Sequence, residues 1–357
     1  MTGTVPDGTG LLLQPAGLDV LTQLRLLEPA MKRGRAIDRV ISRSRKGAML
    51  MELRYADLRP ELWALGIRRA TLAGLLLDAA RAAGCTVRSG APITGLKEDF
   101  AQVSLNERDG TAHGEFDCAL VCDGLNSRLR QQVAPVARVA VHEHGVFSVV
   151  APLPAALSGG ALLQRLDGMR DAIGLLPIGR DAEAIELVSF FWNARAADVP
   201  ALKAAGYPAW CEYIGGFAPE AREVLRHAGR FEALTFSTTA DVTMRRWHGA
   251  RTVVLGDAAH ALNPLLGLGA TMALLDAASL CRCLSESPQD IGAAFANYQA
   301  QRAPQLAPYA RVSRLWSRLD ASGFSGLRRR LFLVAARGMP FVRRRLVKHM
   351  CGYARHP

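Results

Sequence analysis

The stretch TVVLGDAAHALNPLLGLGATMALLD, Thr252–Asp276, decides how this chain is read. Thr252–Leu255 is a short β-branched and apolar run, of the kind that forms a strand buried on both faces in a parallel sheet. Gly256 and Asp257 follow at its carboxyl end. In open α/β sheets ligands bind outside the carboxyl ends of the strands, and a short acid there can accept hydrogen bonds from sugar-like hydroxyls. Beyond Pro264, Gly267 and Gly269 remove the Cβ atoms that would hold a flat ring away from the backbone. Leu274, Leu275 and Ala278 fall at helical spacing, so a helix is predicted to begin near Ala270. Its amino terminus would direct unpaired N–H groups and the positive end of its dipole toward negative charge. Singly, each residue reads equally well as a cap or a turn. As an ordered set after a strand they point to a ring-binding site.

Two further segments read in the same way. Phe116–Cys122 (FDCALVC) is a second buried-strand candidate and runs into CDGLNSRLR, which supplies Asp123, Gly124, Ser127 and Arg130. An Asp-Gly after a strand is by itself usually a turn. In GIRRATLAGLLLDAARAAG, Leu72, Leu75, Leu76, Ala79 and Ala83 follow a helical repeat that opens after Arg69. Gly84 suits the position just past its end, and Cys85–Arg88 is predicted to be the next strand.

Together these segments resemble the flavoprotein aromatic hydroxylases, the family of para-hydroxybenzoate hydroxylase and the ubiquinone-ring hydroxylases. The match starts at GTGLLLQP (Gly8–Pro15), continues through GLDVLTQLRLLEPAMKRG (Gly17–Gly34), and includes GLLPIG (Gly174–Gly179) and SFFWN (Ser189–Asn193). The resemblance implies an α/β fold, in which a FAD/NAD(P)-binding Rossmann-like domain interleaves with a β-rich substrate domain and ends in C-terminal helices. It implies FAD as cofactor and NAD(P)H as reductant. Cofactor contacts would fall at Arg69, Asp123, Gly124, Arg130, Gly256, Asp257, Pro264, Gly267, Gly269 and Ala270. Asp257 would hold the ribityl chain, Pro264 would lie against the ring, and the start of the following helix would face its pyrimidine edge. Asp123 and Arg130 would stand near the pyrophosphate and the path of the reductant. No catalytic base can be named.

The chain departs from the family in two places. Thr271 stands where the family usually has asparagine, and no GxGxxG occurs anywhere in the sequence. The family's first βαβ unit, whose glycines admit the pyrophosphate to a helix amino terminus, is therefore expected to be absent. A misassigned start, a frameshift or a decayed gene is favoured over supply of the unit by another chain, because a missing central strand leaves aggregation-prone edges.

Composition bounds the remainder. The 357 residues are half hydrophobic, enough for a large core and two interleaved domains. The FAD-binding domain is expected over 1–40, 66–135 and 250–300, the substrate domain over 41–65 and 136–249, and a basic helical segment over 301–357. Strands are expected at Gly145–Ala151, Ala172–Ile178, Ile185–Trp192 and Phe231–Thr239, with a helical stretch at Ala197–Ile214. Phe190 and Trp192 read as core packing ahead of pocket lining. Seven scattered cysteines, no signal-peptide pattern and no apolar run near about 20 residues suggest a reduced, cytoplasmic protein. Cys281 and Cys283 point to different faces of a helix, and His142 with His144 lacks a third ligand, so no metal site is expected.

The net charge of +12 is uneven. Residues 311–357 carry twelve Lys or Arg against Asp320 alone, which gives +11 and leaves +1 for the rest. Arginines interleaved with Leu327, Leu331, Phe332, Val334, Phe341, Val342, Leu346 and Val347 read as basic amphipathic helices. They suit peripheral contact with an anionic membrane, or a solvated face packed on the body. No nucleic-acid module accompanies the charge. The expected function is NAD(P)H- and O2-dependent hydroxylation of an aromatic or lipophilic, quinone-like substrate, with loss of activity in this chain allowed for. The alternatives are a flavin-dependent reductase or dehydrogenase of isoprenoid or quinone lipids, or a non-catalytic membrane-associated remnant.

Overall fold

The computed structural model of the chain describes residues 9–167, 171–264, 267–321 and 340–353. Near its start, β1 (Gly10–Leu13) leads into α1 (Pro15–Gln23) and α2 (Leu27–Arg33), then β2 (Arg35–Ile37), β3 (Arg39–Ser44) and β4 (Met49–Arg54). The next strand, β5 (Ala64–Arg68), lies between β1 and β2, antiparallel to both, and runs directly into α3 (Arg69–Ala82). Gly84, at φ 85°, closes that helix. Cys85–Arg88, expected as a strand, lies outside regular structure. All four residues are exposed, so no neighbour covers a strand face there.

A three-stranded meander follows, formed by β6 (Ile93–Glu98), β7 (Val103–Glu107) and β8 (Ala112–Phe116). The expected strand Phe116–Cys122 is divided. Phe116 ends β8, and β9 covers only Ala119–Val121. After α4 (Arg130–Val133), the chain builds β10 (Arg138–Pro152), β11 (Ala161–Asp167), β12 (Asp171–Arg180) and β13 (Glu186–Arg195). Helices α5 (Val199–Ala205), α6 (Tyr207–Phe217) and α7 (Arg222–Ala228) precede β14 (Thr235–Thr243). That strand starts later than expected because Phe231–Ala233 forms a 3-10 turn.

The seven-stranded sheet runs β14-β10-β13-β12-β11-β3-β4, antiparallel except where β11 meets β3. One face of the long strands is covered by α6 and α7. Phe147, Phe190 and Trp192 from the strands pack there with Trp210, Ile214 and Phe217 from α6, all buried. Phe190 and Trp192 are thus core residues. On the opposite face β12 lies close against β5 and the end of α2. A Cβ on Gly66 would collide with the Pro177 carbonyl oxygen, and one on Gly179, at φ 86°, with that of Arg33. Glycine at both positions lets the two sheets approach to backbone contact.

The last strand, β15 (Thr252–Val254), is fully buried and pairs parallel with β9. Among the described residues β9 has no other partner. Then come the short α8 (Asp257–His260), α9 (Gly269–Glu286), α10 (Ile291–Ala321) and α11 (Pro340–Met350). The last of these packs on the body. Val347 and Cys351 are buried beside Leu53 and Tyr55, and Arg343 pairs with Asp57 at 3.1 Å. The basic residues at 322–339 and 354–357, and Leu265 and Leu266 of the opening stretch, lie outside the described residues.

Candidate functional site

Parallel pairing brings the two acidic motifs together. Ala119, Leu120 and Val121 stand in register with Thr252, Val253 and Val254, and the Leu255 N–H continues the ladder to the Val121 carbonyl at 3.0 Å. The strands therefore end side by side. Asp123–Gly124 and Gly256–Asp257 form adjacent loops, at the edge where a parallel sheet presents a crevice. Gly256 takes φ 57°, which directs the chain from β15 into α8. Asp257, Pro264 and Gly269 are exposed, Gly267 and Ala270 partly so. A Cβ on Gly269 would find Asp257 Oδ1 at 3.7 Å, and one on Gly267, at φ 61°, would find Gln14 Nε2 at 3.7 Å. Asp257, Gln14 and the start of α9 thus border one polar recess, into which Gly267 and Gly269 project no side chain.

The Arg130 guanidinium is buried, although its motif led sequence reasoning to expect it on a ligand. It donates to the carbonyls of Gly124 at 3.1 Å, Leu125 at 2.8 Å and Ala258. Its backbone N–H bonds Ser127 Oγ at 2.9 Å. Burial lowers its affinity for the proton from the ordinary arginine value, and the negative charge of Asp123 opposes that shift. The side chain clasps the two loops to each other. Asp123 is exposed and accepts the Arg128 N–H at 3.2 Å. Arg69 lies apart from this set. It follows β5, and its N–H bonds the Thr9 carbonyl at 3.0 Å. Gln14 stands at the other end of β1, about 15 Å along by strand rise.

Beneath the recess is a buried ionic group that the motifs did not disclose. Asp276, on the second turn of α9, is fully buried. Its Oδ2 accepts the Gly256 N–H at 3.1 Å and lies 2.5 Å from His260 Nε2, and its Oδ1 accepts Arg302 Nε at 2.8 Å. Burial pushes the carboxyl up, but the charges and hydrogen bonds of His260 and Arg302 outweigh it and hold Asp276 below the usual carboxylate range. Gln14, buried at the β1–α1 junction, was also missed. Its N–H bonds Thr271 Oγ1 at 3.0 Å, and its Oε1 accepts the Tyr55 hydroxyl at 2.8 Å. The family-atypical threonine therefore ties α9 to the first strand. Only an acid at mid-helix and an arginine 26 residues later hinted at the Asp276 group.

A short parallel strand pair whose loops meet the amino end of a glycine-opened helix is an arrangement that nucleotide-cofactor proteins use. Comparison makes this specific. The model of the FAD binding domain family matches residues 1–308, so the chain belongs to that family and is a flavin-dependent oxidoreductase of the aromatic monooxygenase type. The 2-heptyl-3-hydroxy-4(1H)-quinolone synthase of Pseudomonas aeruginosa strain UCBPP-PA14 is 26% identical over 290 residues, 80% of this chain and 72% of that protein. Kynurenine 3-monooxygenase of Stenotrophomonas maltophilia is 26% identical over 308 residues, 82% and 66% respectively. The fold is similar to that of Klebsiella pneumoniae HpxO complexed with FAD and uric acid. The TM-score is 0.77 at 21% identity, covering 97% of this chain and 87% of that one.

Proposed function

We propose that this chain hydroxylates a small aromatic or quinone-like ring, and that the recess between the Asp123–Gly124 loop, the Gly256–Asp257 loop and the start of α9 holds the ring and ribityl end of FAD. The observation that carries this reading is the parallel register of β9 and β15, which sets both loops and the α9 amino terminus around one uncovered stretch of backbone. Bound FAD, reduced by NAD(P)H, supplies the activation of O2. The chain's own groups bind and orient. Asp257 would accept hydrogen bonds from ribityl hydroxyls, and Pro264 would bound one side of the ring. Gly267, Gly269 and Ala270 offer backbone N–H groups toward its electron-rich edge. Asp123 and Gly124 form the facing wall, Arg130 braces the wall against α8, and Arg69 is left to the far end of an extended dinucleotide.

The substrate class follows the relatives named for a quinolone and for kynurenine. We assign residues 1–40, 66–135 and 250–300 to cofactor binding and 41–65 and 136–249 to shaping the substrate side. Peripheral membrane contact through residues 311–357 draws support from charge alone. The described part of that segment packs on the body through Val347, and among the described residues no helix is long and apolar enough to cross a membrane.

Flavin titration followed by fluorescence tests the site. Asp257→Ala should weaken FAD binding at least about tenfold, the loss of one or two charge-assisted hydrogen bonds, with an unchanged circular dichroism spectrum. Equal affinity would remove Asp257 from the site. Consumption of NAD(P)H without oxygen appearing in a ring product would favour the reductase alternative.

A further inference from the structure

A second cavity lies away from the flavin corner. It has a volume of about 700 Å³, is half open to solvent, and lies between α1, the Leu58–Arg59 turn, α9, α10 and α11. That size falls in the range of small-molecule sites. On α9 it is lined from Leu275 to Arg282. Helical rise sets Ala278–Arg282 about 14–20 Å from Gly269, so the cavity and the recess occupy different lengths of one helix.

Its charge is one-sided. Arg59, Arg282, Arg344 and Lys348 line it, against the single carboxylate of Asp19. Asp19 is already engaged by the Tyr353 hydroxyl at 2.5 Å. Arg282 bonds a neutral partner, Gln301 Oε1, at 2.8 Å. Arg59 lies over the uncharged Tyr353 ring at 5.5 Å, and its acid partner is Glu61, at 3.5 Å and with both side chains more than half exposed, where pairing is weak. No bond or ion pair joins the Arg344 or Lys348 side chain to another described residue. They stand four residues apart on α11, where like charges repel. Arg302 lines the inner wall, but its guanidinium is committed to Asp276, Gln305 and the Met272 carbonyl. Between these cations the walls are apolar, with Val20 buried and Leu58 and Leu275 half-buried. Four cations without matching acids want an anion, and an apolar wall between them wants a hydrocarbon body.

We propose that this cavity is a second binding site, for a small amphipathic monoanion that sets a carboxylate or phosphate head among Arg344, Lys348, Arg59 and Arg282 and lays an alkyl body along Val20, Leu58 and Leu275. The head neutralises the repelling pair on α11, and so ligand binding also fastens that helix to the body.

Isothermal titration of the purified full chain with decanoate tests this, with decanol and inorganic phosphate as the two halves of the ligand taken separately. Decanoate should bind once per chain, and each half at least about tenfold more weakly. Arg344→Gln with Lys348→Gln should weaken decanoate binding by about the same factor, with the melting temperature checking the fold. The control removes two exposed cations elsewhere, Arg226→Gln with Arg246→Gln, and should leave binding unchanged. The proposal is overturned if decanoate binds the Arg344/Lys348 variant as tightly as the parent, if the control loses as much, or if decanol matches decanoate. Binding to phosphatidylglycerol vesicles without binding of monomeric decanoate would also overturn it, since the charge would then serve a lipid surface. None of the substituted residues borders the flavin recess, so failure here leaves the proposed function standing.

Discussion

The seven-stranded sheet and the β9–β15 corner are built to different rules. In the sheet, long antiparallel strands carry aromatic residues into one face, where Trp210 of α6 is ringed by Phe147, Phe190, Trp192, Tyr207 and Phe231 at centroid distances of 5.3–6.3 Å. In the corner, two strands of three residues pair with each other, β15 adds only a bridge from Val253 to His248 among the described residues, and Leu120 of β9 is 49% exposed. The corner has an apolar core as well, where Val121, Val253 and Val254 pack with Trp247, Met272 and Phe295, but its loops are fixed by polar ties: the Arg130 clasp and the Asp276 group, both buried and both directed at backbone atoms. Apolar packing tolerates small shifts of its members, whereas hydrogen bonds to backbone fix atoms to within tenths of an ångström. A scaffold can rely on the first. A site that presents bare backbone needs the second.

Substitutions can separate these two modes. Trp210→Ala should cost the most, about 3–5 kcal/mol of global stability, because the cavity opens inside a rigid aromatic cluster. Urea unfolding measures it, and a loss below about 1 kcal/mol would mean that the sheet core is no firmer than the corner. Asp276→Asn should cost about 3 kcal/mol, since Arg302 is left buried without its counter-charge. This loss has a pH signature. Asp276 is held below the ordinary carboxylate range, so its contribution is fully present above the unfolded-state value near ~3.9 and fades as pH falls through the lower folded-state value. Stability of the parent should therefore drop toward that of the variant on acidification, and parallel curves would show that Asp276 is not ionised in the fold. Leu120→Ser should change stability least, by under about 0.5 kcal/mol, because the side chain is half exposed on an open strand edge. A loss above about 1.5 kcal/mol would mean that something covers that edge in solution.

The motifs were legible because they are local. Strand, Gly-Asp, proline, two glycines and helix follow one another over 25 residues, and each type has a backbone reason to be where it is. The long strands of the substrate side were legible from β-rich alternation, and α3 from its leucine spacing. Errors fell where local pattern and tertiary neighbours disagree. Cys85–Arg88 has strand-like residues but nothing to pair with, and Phe116–Cys122 is broken because the meander claims its first residue.

Sequence by itself determined the family, the mixed helix-and-sheet class and which loops carry acids and glycines, since these rest on spacing along the chain. Tertiary structure alone decided that Arg130 faces carbonyls, that Asp276 reaches from α9 to Gly256 20 residues earlier and to Arg302 26 residues later, and that α11 returns to α1 to close a cationic cavity. Those outcomes depend on which long-range partners remain after the core is packed, and buried polar groups take the partners that packing leaves within reach.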